Sequence, residues 1–215
     1  MKYRLGGLAL LTALATASAQ AILLVPGARV GRNTVEAPGV LTIFTDTNLT
    51  LMASSSVPVV GASGTVSGIM RSAVYMNSGG TLDFYYQYAN DPTSDPIHRL
   101  TMSSFRNFTT DVGYRLTAIG QFTAGAGQVT PNEANRNTSG SVVGFDYDTP
   151  TSIPAGATTN TLVIRTNANQ WGPGFASVIN GSATTVPSFA PVPEPASIAA
   201  LSLGAIALIR RRRRK

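Results

Sequence analysis

The sequence predicts an all-β protein: an antiparallel β-sandwich, jelly-roll-like, flanked by an N-terminal signal helix and a C-terminal transmembrane helix. Three observations lead there. Short runs rich in β-branched and aromatic residues recur along the middle of the chain, separated by Gly, Pro, Asn and Ser. No stretch between the two ends has the apolar period of an amphipathic helix. Only 12% of residues are charged, about half the roughly 25% of an ordinary soluble domain. Ser, Thr, Asn and Gly supply the missing polarity, which suits exported sheets better than long helices.

Residues 1–19 have the three-part form of a secretory signal. Lys2 and Arg4 give a positive start, and Leu5 to Ala15 give a short apolar stretch. Ala17-Ser18-Ala19 then forms a small-x-small site, with Gln20 as the first mature residue. The apolar stretch is well short of the ~20 residues that span a bilayer, so cleavage by signal peptidase is expected rather than anchoring.

Residues 20–181 are expected to form the β domain. Val40 to Thr45, Val57 to Val60 and Gly64 to Asn77 are its first runs. In Thr81 to Tyr88, Leu82, Phe84, Tyr86 and Tyr88 fall on one face and Asp83, Tyr85 and Gln87 on the other. Asn77-Ser78-Gly79-Gly80 predicts a hairpin turn between these two runs. His98 to Phe105, Asp111 to Ile119, Ser141 to Tyr147, Thr161 to Asn167 and Phe175 to Ile179 follow. Ala124 to Ser139 reads as a long surface loop. Residues 182–191, charge-free and ending in prolines, read as an extended stalk.

The net charge of +6 comes from the two ends. Between Gln20 and Ala190 there are eight Arg and nine acids, a balance of −1. With its charges scattered, this stretch has no basic stripe to neutralise a row of phosphates, and nucleic acid is excluded as a partner. The chain has no Cys, which excludes thiolate metal sites and Cys nucleophiles.

Candidate chemistry in the domain is sparse. The single histidine, His98, would have to serve as the base of any Ser-His-Asp triad, with Asp91 or Asp95 orienting it. No Gly-x-Ser-x-Gly elbow frames a nucleophile, and a surface histidine at a loop–strand junction is the expected reading. Asp146 and Asp148 flank Tyr147 and would share a strand face, an arrangement able to hold Ca²⁺. Solvent-facing residues at a strand end are expected instead, with no metal and no cofactor. A glycosidase needs two acids across a cleft, and the sequence cannot set Asp83 or Asp111 opposite them. Tyr85 and Trp171 are candidate glycan contacts, since aromatic faces suit amphipathic sugar rings. Four N-glycosylation patterns, at Asn48, Asn107, Asn137 and Asn180, are assigned no role in so polar a chain.

The last segment, residues 192–215, differs from everything before it. Val192-Pro193-Glu194-Pro195 precedes an uncharged apolar run of 14 residues, Ala196 to Ile209. Arg210, Arg211, Arg212, Arg213, Arg214 and Lys215 follow directly. Such cations stay on the cytoplasmic side, leaving what precedes Pro195 outside. As a helix the run is about 21 Å long, short for a ~30 Å hydrocarbon core, so the anchor is expected to be marginal. The flanking prolines hold Glu194 in extended backbone.

Pro193-Glu194-Pro195, an apolar segment and an arginine-rich end together resemble the PEP-CTERM sorting domain. The resemblance implies a substrate of exosortase, a membrane-embedded cysteine transpeptidase-like enzyme that removes or exchanges the tail near Pro-Glu-Pro. It also implies a bacterium that makes exopolysaccharide. The expectation for the whole is an exported cell-surface or extracellular-matrix protein, non-enzymatic and associated with exopolysaccharide. The alternatives are a carbohydrate-binding β-sandwich module and, third, a hydrolase using Asp residues with His98.

Overall fold

The computed structural model describes residues 23–32, 34, 39–62, 64–147 and 152–193. Within them the protein is all-β, with twelve strands and no helix. The expected signal helix with Ala17, Ala19 and Gln20 lies outside the described residues, as do Asp148, Glu194, Pro195, the expected transmembrane helix and the terminal cations. Among the described residues no helix is long and apolar enough to cross a membrane.

In chain order the strands are β1 (Arg29–Val30), β2 (Thr42–Ile43), β3 (Thr50–Val60), β4 (Ser67–Met76), β5 (Leu82–Asn90) and β6 (Arg99–Ser103). Then come β7 (Thr110–Arg115), β8 (Glu133–Arg136), β9 (Val142–Asp146), β10 (Thr161–Thr166), β11 (Trp171–Asn180) and β12 (Ser182–Pro191). One six-stranded sheet runs β1-β8-β9-β6-β11-β12 and the other β2-β7-β10-β5-β4-β3. All neighbours are antiparallel except β2 and β7.

Both sheets contribute to one buried apolar cluster. Met70, Val74, Phe84, Tyr86, Leu162 and Ile164 come from one side, and Leu100, Met102, Val143, Phe145, Ala176, Val178 and Val186 from the other. Alternation along each strand delivers these residues to the facing surfaces. The β4–β5 hairpin forms where Asn77 to Gly80 predict it, with Met76 opposite Leu82. The Asn77 carbonyl side chain accepts from the Gly79 amide at 2.9 Å. Gly80 sits at φ +77°, a region that favours glycine.

The structure corrects four expectations about the strands and their faces. Residues 182–191 are not a stalk: they are β12, laddered from Asn180↔Ser182 to Trp171↔Pro191. Val186 and Ala190 turn inward and are buried, and prolines are tolerated because β12 is an edge strand. The expected loop 124–139 contains β8, whose four residues are all buried. β3 begins at Thr50, seven residues before the expected run.

The fourth correction concerns Tyr85. Alternation predicts an outward ring, and the ring does point away from the shared core. It is nonetheless fully buried, in a second cluster with Phe44, Ala73, Tyr75, Phe122 and Val163. The chain around Ile119 and Phe122 folds over this outer face. Gln121 pins it by donating to the carbonyls of Ser55 and Ser72 at 2.9 and 2.8 Å.

Candidate functional site: the sorting junction and the charge networks

The tail leaves the domain through β12. Its last strand residue, Pro191, stands opposite Trp171, the first residue of β11. One residue on, the Val192 amide still donates to the Gln170 carbonyl at 3.2 Å. Val192 is half-buried and Pro193 exposed. Of the expected sorting residues, Val192 is therefore anchored to the rim of the fold, and Pro193 is the first beyond it.

Alternation divides the residues of this hairpin. Ala176, Val178 and Val186 face the core, and Ala190 is buried beside them. Trp171, Pro173 and Phe175 in β11, with Pro187 in β12, fall on the opposite face and are exposed, Phe175 opposite Pro187. Phe189, opposite Pro173, is half-buried and also packs against the core cluster. Trp171 is 36% and Phe175 55% exposed. The Trp171 and Phe189 rings meet edge to face at 5.2 Å between centroids. Of the two candidate glycan contacts, only Trp171 is accessible, because Tyr85 is buried.

The charged residues engage one another. Asp83 and Asp111 stand on either side of Arg165 across three adjacent strands. Arg165 donates to both Asp83 oxygens at 2.8–3.1 Å and to Asp46 at 2.8 Å, with its guanidinium over Phe44. Burial pushes the carboxyl of Asp83 above its usual range, and the Arg165 contacts oppose that rise. Burial raises Asp111 as well, again opposed by Arg165. Two acids separated by a shared cation are ill suited to act as acid and nucleophile.

On the other sheet, Glu133 and Asp146 stand opposite each other, which would be repulsive without counter-charges. Arg29 and Arg32 each approach Glu133 at 2.8 Å. Arg99 donates to Asp146 at 2.6 Å and to Asn135 at 2.6 Å, while Asn135 donates to the other Asp146 oxygen. Asp146 is thus nearly buried and ion-paired, not solvent-facing as the sequence predicts. Gly144 makes room for this, since a Cβ there would strike the Arg99 guanidinium.

Arg136 is a different kind of centre. It is 5% exposed and has five hydrogen bonds, to the carbonyls of Gly140, Leu24, Phe105 and Phe108 and to the Thr110 hydroxyl. It ties β8 to three other stretches of chain, including the turn where Ser104 and Asn107 take positive φ. No pattern around Asn135-Arg136 signals this role in the sequence.

His98 is exposed immediately before β6, where its backbone bonds Ile179 and Tyr147. It lies on the sheet opposite to Asp83 and Asp111, so the structure does not bring those residues together. Among the described residues no group of three or more His, Asp or Glu is placed to hold a metal ion. A cleft of about 620 Å³ is lined by Gly31, Arg32, Tyr114, Thr130 and Asn132 among others, and its described lining contains neither His98 nor a carboxylate.

Searches of curated proteins and of solved structures give no significant match. A family model does match: the PEP-CTERM protein-sorting motif, over residues 191–214. The match begins on Pro191, the residue that closes β12. The chain is therefore a PEP-CTERM domain-containing protein, exported and sorted by exosortase through a signal that starts at the rim of its β domain.

Proposed function

We propose that the mature protein is a non-enzymatic component of the cell surface or extracellular matrix, associated with exopolysaccharide after exosortase has processed its tail. In this reading Ala196 to Ile209 hold the precursor in the cytoplasmic membrane and the terminal cations stop transfer. The supporting observation is how the carboxylates are used. Asp46 and Asp83 engage Arg165, Glu133 engages Arg29 and Arg32, and Asp146 engages Arg99. These pairs knit neighbouring strands and leave the acids committed to arginines rather than converging on a substrate.

The test is mass spectrometry of the mature C-terminus from the native host, with and without exosortase, combined with fractionation of the polysaccharide matrix. The expected result is a chain ending near Pro193–Pro195 that co-purifies with polysaccharide only when the enzyme is present. A chain intact through Lys215 in both strains would refute processing.

A second reading, a carbohydrate-binding module, rests on the accessible Trp171 beside Phe189 and Phe175. Titration with the host's exopolysaccharide should then change the emission of Trp171, the only tryptophan in the sequence.

A further inference from the structure

We propose that the exposed apolar patch of Trp171, Pro173, Phe175 and Pro187 rests on the phospholipid bilayer while the tail still tethers the chain. This rests on the reading of Ala196 to Ile209 as a membrane segment and adds to it an orientation for the folded domain.

The first support is the composition of one sheet face. The β1, β8, β9 and β6 end carries Arg29, Glu133, Asp146 and Arg99, the ionic belt described above. The β11–β12 end carries the rings and prolines of the patch. None of residues 166–193 is charged. A soluble domain that floats freely gains nothing from gathering its most exposed rings on one uncharged corner, and such patches mark contact surfaces. Trp is also the residue whose amphipathic ring favours the headgroup region.

The second support is tether length. Val192 is bonded to the rim of the domain, and the apolar run begins at Ala196. Four residues of extended chain reach at most about 14 Å. With so short a leash, the rim bearing Pro191 cannot leave the neighbourhood of the bilayer. Trp171 is paired with Pro191 itself, so the patch is the part of the domain held closest to lipid. Exosortase, embedded in the same membrane, then receives its substrate in one orientation.

The test uses the full-length precursor reconstituted into phosphatidylcholine vesicles, with and without lipids brominated near the headgroup. Because Trp171 is the only tryptophan, its emission reports on the patch without labelling. Flotation with the vesicles after a high-salt wash reports on the tail. The expected result is flotation together with a blue shift and a loss of roughly half the Trp171 emission to bromine, as for an interfacial indole. Phe175→Ser should reduce the quenched fraction severalfold without affecting flotation. Leu116→Ser, which alters an exposed apolar residue outside the patch, should leave both unchanged.

Flotation with unquenched, unshifted emission would overturn the patch proposal and leave the tail reading standing. Failure to float would remove the tether and overturn both. A blue shift that grows with protein density but shows no bromine quenching would assign the patch to a second copy of the chain instead.

Discussion

The hydroxyl of Tyr86, in β5, donates to the carbonyl oxygen of Phe189, in β12, at 2.7 Å. This bond joins the two sheets through the buried interior, because Tyr86 is fully buried. It lies two residues before Pro191, where the sorting motif begins. Tyr86→Phe should cost about 1–2 kcal/mol, since a buried carbonyl loses its donor while the ring remains. Urea denaturation measures the loss, and hydrogen exchange should quicken selectively at the C-terminal end of β12. Uniform exchange across all strands would mean that the bond does not act locally.

Arg136 should be the most sensitive charged position. Arg136→Met keeps much of the volume but strands four carbonyls and a hydroxyl in the interior. A destabilisation of about 3–5 kcal/mol is expected, in the range seen when buried polar networks lose their centre. Arg106→Met, at an exposed position, should stay within about 0.5 kcal/mol of the parent. Equal effects at both sites would remove Arg136 from its proposed role.

Deletion distinguishes a strand from a stalk. A chain stopped after Pro193 should fold like the parent. One stopped after Gly181 loses Val186 and Ala190 from the core and the acceptor of the Tyr86 hydroxyl, and should fail to give a cooperative unfolding transition. A cooperative, undiminished transition in the shorter chain would show that β12 contributes no stability.

These outcomes bear on what the sequence discloses. The β4–β5 hairpin is legible because alternation, β-branched and aromatic side chains and a Gly-rich turn all agree. β12 is not legible, because Pro187, Pro191 and a lack of charge look like a linker unless one knows that the strand lies at an edge. β8 reads Glu-Ala-Asn-Arg, polar by every local measure, and is buried only because Arg29, Arg32, Asp146 and distant carbonyls satisfy it. Tyr85 is misplaced for a related reason: whether an outward ring meets water depends on the chain near Phe122, thirty-seven residues away. The sorting motif is legible in full because its chemistry is local and sequential.

The phenols predict a response to alkali. Burial holds Tyr75, Tyr85, Tyr86, Tyr88 and Tyr147 above the ordinary phenol range, Tyr85 and Tyr88 at about 12. An unfolded tyrosine ionises near pH 10. With the folded value above the unfolded one, the contribution to stability is whole below about pH 10 and is lost as the pH climbs toward about 12. Stability should therefore be insensitive to these groups near neutrality and fall steeply above about pH 10. Tyrosinate absorbance should rise together with loss of the fold. Five phenols titrating near pH 10 with the sheets still intact would contradict this.

Arg165→Met tests the ion pairs. It leaves Asp83 buried without its counter-charge, so about 3 kcal/mol or more should be lost at neutral pH. The variant's Asp83 is then held further above its unfolded value. Its stability should be greatest below about pH 4 and decline as the pH rises, provided that acid alone does not unfold the parent over the same range. A parent and variant with parallel pH profiles would show that Asp83 is indifferent to Arg165.

Pro191 belongs at once to the final ladder and to the address label. A chain exported from its N-terminus can dock its outermost strand only when that label is itself emerging from the translocon. Completion of the sandwich and presentation of the label are then coupled in time, and a half-built domain would offer the enzyme a floppy substrate rather than a fixed one. Grafting this label onto other cargo would, by the same logic, have to replace the rigid rim along with the peptide.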